Sequence, residues 1–319
     1  MKLSKWTAFL AAGTLAASLP AFPTAPAVQE RGQALVTILP KHDTLSSKGA
    51  PSVTPNSNDL QLKINGKTTP ITSVTRAHGP TSPLELVFLI DSSARSGIGN
   101  QLSYLANFAR ELPPDTRMAV AYMQNGRAVF SGPLSSNSAE IEAGIRLPSG
   151  PIGGSGSPYF CLTDLAQHWP SQDKTARREV VMITDGIDNY EPRFNPDDQY
   201  VQAAIHDAVR AGLMVYSIYW TNEGGSGRGP FAATGGQSLL LQVTEATGGA
   251  SYWTGTGNPV SIDPFLKDIR IRLRNQYRIG FEAMARNKPE VQQMRLKLTS
   301  SESKLSAPQM VLITPQTGE

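Results

Sequence analysis

The chain has 319 residues, which is enough for one large domain with a smaller one beside it. Hydrophobic residues make up 39% of the sequence, so a sizeable core can be buried. The 29 Lys and Arg residues nearly balance the 26 Asp and Glu residues. The resulting formal charge of +3 is too balanced to suggest a partner such as a nucleic acid or a membrane surface.

Residues 1–27 predict a secretion signal. Lys2 and Lys5 form a positive start, Trp6–Leu19 is mostly apolar, and Ala25-Pro26-Ala27 fits a cleavage site. An uncleaved membrane anchor is the alternative interpretation, but the apolar run is shorter than the ~18–20 residues that a membrane span needs. We therefore expect export to the periplasm or beyond, with no membrane span after cleavage of the signal.

Cys161 is the only cysteine, so no disulfide can form within the chain. A free thiol in an oxidising compartment is most simply explained by burial in the core. We expect an exported fold that depends on its core, and on a bound ion if there is one.

Residues 28–80 predict an N-terminal β segment. Ala34–Leu39 is one strand candidate, and Leu60–Ile64 alternates apolar and polar residues directly before Asn65-Gly66, which is a strong hairpin signal. Pro70–Val74 is the predicted return strand, and Lys41–Ser57 is a predicted loop. The segment is too short to be a stable domain alone.

Residues 81–260 predict an α/β domain. Leu84–Ile90 is almost continuously apolar, as expected of a strand buried on both faces of a parallel sheet. Strands and helices alternate after it, which predicts a doubly wound, mostly parallel sheet with helices on both faces. Two Gly-rich stretches, Pro148–Ser157 and Glu223–Gln237, are predicted loops. The further strand candidates are Met118–Met123, Gly126–Phe130, Val180–Thr184, Met214–Tyr219 and Ser251–Trp253, and the helix candidates are Ile98–Glu111, Tyr200–Ala211 and Leu239–Thr247.

Residues 261–319 predict a helix followed by a C-terminal β segment. The helix covers Ile262–Gln276, and the strand candidates are Tyr277–Ala283, Gln293–Thr299 and Met310–Thr314. Neither β segment has enough strands to stand alone, so we expect the two to pair into one small flanking β module.

Two acidic residues follow the two most apolar strands. Asp91 ends Leu84–Ile90, and Asp185 ends Val180–Thr184. Ligands of open α/β sheets bind outside the carboxyl ends of the strands, so both carboxylates face one crevice if these strands are neighbours. Two carboxylates that close repel each other unless a positive group lies between them, and Mg²⁺ favours such oxygen ligands.

With Ile90-Asp91-Ser92-Ser93 and Ile183-Thr184-Asp185-Gly186, the chain resembles the von Willebrand factor type A family over about 84–252. It also resembles secreted type A-related proteins of acidobacteria, including in its flanks, where Leu273–Phe281 carries the resemblance. The resemblance implies a metal-ion-dependent adhesion site in which Asp91, Ser93 and Asp185 hold Mg²⁺ or Mn²⁺. An acidic group of a partner would complete the coordination, so the resemblance implies protein binding and no catalysis.

The sequence departs from the family pattern at two positions. Arg95 occupies the third motif position, where the family has Ser, and a guanidinium cannot ligate a metal. Arg95 could instead pair with Asp91 or Asp185 and supply the positive charge itself. The Thr of the second loop has no clear counterpart; Ser157 is the first candidate and Thr163 the second.

The pattern favours a secreted binding module that recruits a protein or surface ligand through this crevice. A structural envelope protein without a working metal site is the main alternative. A Mg²⁺-dependent phosphohydrolase is a weaker one, because a phosphatase of the haloacid dehalogenase type needs a second Asp at the position of Ser93. A serine hydrolase is disfavoured by the absence of a Gly-x-Ser-x-Gly motif. The sequence predicts neither the partner's identity nor the oligomeric state.

Overall fold

The computed structural model describes residues 29–41, 55–147, 156–191, 193–221, 230–284, 287–300 and 302–315. The predicted secretion signal lies outside these residues, as do most of the first Gly-rich stretch and the first part of the second. The strands are β1 Gln29–Pro40, β2 Leu60–Ile64, β3 Lys67–Thr69, β4 Ile71–Arg76, β5 Leu84–Asp91, β6 Arg117–Gln124, β7 Arg127–Phe130, β8 Arg177–Thr184, β9 Leu213–Tyr219, β10 Ser251–Tyr252, β11 Gln276–Met284, β12 Glu290–Leu298, β13 Ser303–Ser306 and β14 Met310–Ile313. The helices are α1 Arg95–Gly99, α2 Leu102–Arg110, α3 Ser138–Gly144, α4 Pro158–Gln167, α5 Gln199–Arg210, α6 Pro230–Thr247 and α7 Asp263–Arg274.

Six strands form a mostly parallel sheet in the order β10-β9-β8-β5-β6-β7. Only the edge strand β7 runs antiparallel to its neighbour, β6. Strands β5 and β9 are buried at every position, because helices cover both faces of the sheet. This is the predicted doubly wound architecture.

Each face of the parallel sheet carries its own apolar core. The side chains of β5 point alternately into the two cores. Val87 and Leu89 pack in the first core, and Leu86 and Phe88 pack in the second. Helices α4, α5 and α6 cover the first side, and α2 and α7 cover the second. Cys161 lies in the first core as a buried free thiol, as predicted.

The flanking segments form a second, antiparallel sheet of eight strands in the order β3-β2-β12-β14-β1-β11-β4, with β13 also paired to β1. Strand β1 pairs with β11 from Gln29 opposite Met284 to Thr37 opposite Gln276. The N- and C-terminal β segments therefore do pair, but the module is larger than the small one expected from sequence. The domain boundaries proposed at 80/81 and 260/261 stay predictions.

The predicted return strand Pro70–Val74 is wrong. The hairpin after Asn65-Gly66 returns at once through β3, which pairs with β2. Both turn residues have positive φ, 46° at Asn65 and 79° at Gly66, as a tight two-residue hairpin requires. Strand β4 comes one residue after β3 and pairs with β11 instead. Strand β13 was missed because its four residues carry no clear alternation.

Two predictions about helices also need correction. The second Gly-rich stretch, Glu223–Gln237, was expected to be a loop, but α6 begins at Pro230 and includes Gly235 and Gly236. Gly is unfavourable in a helix interior, so the sequence signal was misleading there. The predicted helix Ile98–Glu111 is two helices, α1 and α2, separated near Asn100.

The two sheets meet through buried polar side chains at the amino-terminal end of β8. Arg177 donates to the main-chain oxygens of Leu273 at 2.9 Å and Ser82 at 3.2 Å, and also to the Gln276 side chain. Gln276 in turn donates from Nε2 to Glu179 Oε1 at 2.8 Å. Within the described part of the chain, no helix has the length and apolar character that a membrane span requires.

Candidate functional site

The candidate site lies where adjacent parallel strands β5 and β8 end. The two strands pair directly from Leu84 opposite Arg177 to Ile90 opposite Ile183. Asp91 is the last residue of β5, and Asp185 follows the last residue of β8. Both side chains are buried and lie at the same end of the sheet, as the strand pattern predicted. We call this end of the sheet, with the loops after β5 and β8 and the start of α4, the rim.

Hydroxyl groups bind both oxygens of the Asp91 carboxylate. Ser93 donates to Oδ1 from its hydroxyl at 2.6 Å and from its main-chain N–H at 3.0 Å. Thr184 donates to Oδ2 from its hydroxyl at 3.0 Å. The neighbouring Ser92 hydroxyl donates to the Met123 carbonyl at the end of β6, which fixes the loop after β5 on a third strand. Asp91 therefore connects the ends of β5 and β8.

The loop after β8 turns sharply at Asp185-Gly186. The Asp185 carboxylate accepts the N–H of Ile187 at 3.0 Å, and Gly186 has a φ of 68°. A Cβ on Gly186 would lie 2.6 Å from the main-chain oxygen of Gly236 in α6. A Cβ on Gly236 would lie 2.1 Å from the main-chain oxygen of Asp185. The paired glycines let α6 pack directly against the loop that carries Asp185.

Ser157 joins the rim from the start of α4. Its hydroxyl donates to Asp188 Oδ2 at 3.0 Å and accepts the N–H of Tyr159 at 3.3 Å, so it also caps the helix. The Tyr159 hydroxyl donates to the Gly186 carbonyl at 2.7 Å. Contacts thus run from Ser157 to the Asp185 loop. Thr163, the second candidate, lies in the interior of α4.

The buried carboxylates shape the electrostatics of the rim. Burial raises the pKa of Asp188, and hydrogen bonds from Tyr190 and Ser157 partly oppose that rise. Burial also raises the pKa of Tyr159, and the charges of Asp185, Asp188 and Asp198 raise it further. The pKa of Cys161 rises to about 12, chiefly through burial and then through Asp91. The local field is therefore negative, which favours a cation.

The donor chemistry fits a hard divalent cation. Asp91, Ser93, Ser157 and Asp185 offer carboxylate and hydroxyl oxygens, which are the ligands that Mg²⁺ prefers. Among the residues with a described position, no group of three or more His, Cys, Asp or Glu side chains is arranged around a common point. Any ion here would therefore depend on the serine hydroxyls together with the carboxylates. Arg95 begins α1, and its side chain lies outside the described part of the structure.

The sequence analysis identified neither Thr184 as a partner of Asp91 nor Asp188 as a partner of Ser157. Thr184 is the last residue of β8, which pairs with β5. Its hydroxyl could therefore have been expected beside the end of β5. The contact of Asp188 with Ser157 depends on two loops from distant parts of the chain, and no local signal indicates it.

No family model and no curated protein matches the sequence. Among solved structures, the chain is similar to proximal thread matrix protein 1 from the mussel byssus, with 14% identity over 67% of this chain and 51% of that one and a TM-score of 0.42. A second structure of the mussel protein has a zinc-occupied MIDAS motif. The chain is also similar to BatB from Bacteroides thetaiotaomicron, with 12% identity over 60% and 97% of the two chains and a TM-score of 0.41. A third similar structure is the SpRpn10 VWA domain, with 9% identity over 60% and 94% and a TM-score of 0.39. The match spans about half the length of the mussel protein.

Proposed function

We propose that this chain is an exported, non-enzymatic binding module of the von Willebrand factor type A kind, with a divalent cation at the rim. The cation would be Mg²⁺ or Mn²⁺, held by Asp91, Ser93, Ser157 and Asp185. An acidic group of a protein or surface partner would complete its coordination. The supporting observation is that Asp91, at the end of β5, binds hydroxyls from its own loop and from the end of β8.

The observed hydrogen bonds are compatible with such an ion. A hydroxyl has one proton to donate and two lone pairs to offer. Ser93 donates its proton to Asp91, and Ser157 donates its proton to Asp188. Each Oγ therefore keeps at least one lone pair for a cation while its O–H points to a carboxylate, since Ser157 uses the other to accept the N–H of Tyr159. A cation bound there supplies a positive centre that attracts a carboxylate from outside the protein.

The close packing of α6 on the Asp185 loop supports the same proposal. Gly186 and Gly236 hold the loop against a helix of 18 residues, so the Asp185 carboxylate is fixed before any ligand arrives. A site with little freedom to lose on binding can hold a weakly attracted ion more tightly than a mobile loop can.

Thermal unfolding of the full protein with and without divalent cations tests the proposal. In metal-free buffer, adding Mg²⁺ or Mn²⁺ at about a hundred times its Kd should stabilise the wild type by about 2.7 kcal/mol and raise Tm by several degrees. Asp91→Asn should remove this rise, because the variant keeps the size of the side chain and loses its charge.

Asp115→Asn is the matched control. Asp115 is exposed in the turn before β6, at the opposite end of the sheet, so the variant should keep the full cation response. A wild type that does not respond to either cation, or an equal response in both variants, would reject the cation site. Rejection would leave the structural envelope protein as the better interpretation.

A further inference from the structure

A cleft of about 730 Å³ lies between the parallel and antiparallel sheets, away from the rim. The amino-terminal ends of β8 and β9 form one wall, and β14 with part of β1 forms the other. Cationic side chains contribute to its lining, whereas none of its described lining residues is acidic. The five cationic residues are Lys174, Arg177, Arg178, Arg210 and Arg278.

Neutral acceptors hold two of the guanidinium groups in place. Arg278 donates to the Thr175 carbonyl at 3.0 Å, to the Ser82 hydroxyl at 3.1 Å and to the Gln33 side chain at 3.3 Å. These groups bear no charge, so they orient the guanidinium without neutralising it.

Arg178 is fixed in the same way. It donates to the carbonyls of Ser171 at 3.1 Å, Asp173 at 3.3 Å and Ala211 at 3.4 Å, and its guanidinium carbon lies 5.8 Å from the centre of the Trp169 ring. Both groups are therefore pre-oriented, which lowers the entropy cost of binding an anion.

The charge balance in the cleft favours an anionic ligand. Burial lowers the pKa of Arg278, and no carboxylate opposes that change. Arg177 differs, because Glu179 lies near it and opposes the effect of its burial. Lys174 and Arg210 are exposed at the mouth of the cleft. Lys174, Arg178, Arg210 and Arg278 thus line one cleft together with Arg177, the cation that Glu179 approaches.

We propose that this cleft binds a small anion that carries at least two carboxylate or phosphate groups. Guanidinium groups attract such oxyanions by their charge and can donate their remaining N–H groups to them, and the volume lies within the range of small-molecule sites. Met310 and Leu312 of β14 and Leu35 of β1 line the facing wall, so they would contact the carbon skeleton of the ligand. The site is independent of the cation proposed at the rim.

Isothermal titration of the full protein with citrate and with pyrophosphate, in metal-free buffer of low ionic strength, tests the proposal. Citrate reports on carboxylate groups and pyrophosphate on phosphate groups, and binding of either supports the site. The double substitution Lys174→Gln with Arg210→Gln should weaken binding about fivefold, because two exposed charges are lost. Arg278→Gln should abolish binding, provided that its circular dichroism spectrum matches the wild type.

The matched control is Lys67→Gln with Arg127→Gln, two exposed cations on β3 and β7 that do not line the cleft. It removes the same net charge and should leave both affinities unchanged. Failure of both anions to bind the wild type would overturn the proposal. An equal loss of affinity in the control and the Lys174/Arg210 variant would also overturn it, because that result indicates attraction to net charge alone.

Discussion

Glu179 is a buried acid at which the fold changes the free energy of ionisation. It lies fully buried on β8, and burial raises its pKa to about 7, although Arg177 and hydrogen bonds from Gln276 and Tyr216 favour the charged form. Desolvation therefore outweighs the neighbouring guanidinium. The side chain is part of the contact between the two sheets, so its protonation affects the stability of the molecule directly.

We predict that stability falls as the pH rises through about 7. The pKa of Glu179 is higher in the folded than in the unfolded chain, so the folded state takes up the proton first. Its contribution is complete below the unfolded pKa, 4.5, and disappears above about 7. Between about pH 5 and pH 8 the wild type should lose up to about 3 kcal/mol relative to Glu179→Gln, as measured by urea unfolding.

The exposed Glu140→Gln is the control for this experiment, and it should follow the wild type at every pH. A constant difference in stability between the wild type and Glu179→Gln across this range would contradict the prediction.

At the scale of the element, helix α6 contains two glycines, Gly235 and Gly236, although the low helix propensity of Gly predicts a loop there. Position 236 requires Gly, because a Cβ there would lie 2.1 Å from the main-chain oxygen of Asp185. The close approach of helix and loop thus determines the residue, against its intrinsic preference. The same contact fixes the loop that carries one of the proposed cation ligands.

Gly236→Ala should therefore destabilise the protein by about 2–4 kcal/mol, because the helix must move away from the Asp185 loop. Gly257→Ala is the control, since a Cβ there would meet nothing within 4 Å. Chemical denaturation of the two variants measures the difference. Equal stability of both variants would show that α6 does not press on the loop in this way.

Most elements of the parallel sheet could be predicted, because a continuous apolar run such as Leu84–Ile90 is typical of a strand that is buried on both faces. The positions of Asp91 and Asp185 followed from the same runs. The split between α1 and α2 and the start of α6 could not be predicted, because they depend on tertiary contacts. The place of Ser157 at the rim was inferred from the resemblance, whereas its bond to Asp188 required the fold.

At the scale of the whole molecule, the antiparallel sheet joins the two ends of the chain. Strand β1 pairs with β11 and β14, which lie on the far side of the whole α/β domain in sequence. The sequence suggested the pairing only because neither end has enough strands alone. The order of the eight strands could not be derived from the sequence. Alternation of apolar and polar residues shows which face of a strand is buried, but it does not show which strand lies next to it.

We predict that the two sheets unfold together. Arg177, Glu179 and Gln276 connect them through buried hydrogen bonds, and breaking such a network leaves polar groups without partners. Of the four tryptophans, Trp169, Trp220 and Trp253 belong to the α/β part and Trp6 to the predicted secretion signal. Tryptophan fluorescence of the protein without residues 1–27 therefore follows the α/β part. Far-ultraviolet circular dichroism follows both sheets.

The urea transitions from these two probes should coincide in the wild type. Arg177→Gln should lower the free energy of unfolding by about 3–5 kcal/mol, because the buried oxygens of Gln276, Leu273 and Ser82 lose their donor. Two separate transitions in the wild type would show that the sheets are independent units.

The position of a bound cation can be measured directly by anomalous scattering from crystals grown with Mn²⁺. We predict a peak at the carboxyl ends of β5 and β8, within about 2.5 Å of the Ser93 and Ser157 hydroxyl oxygens. The same crystals of Asp91→Asn should lack the peak. An anomalous map of well-ordered wild-type crystals with no peak at this position, or with manganese bound only elsewhere, would contradict the proposed cation site.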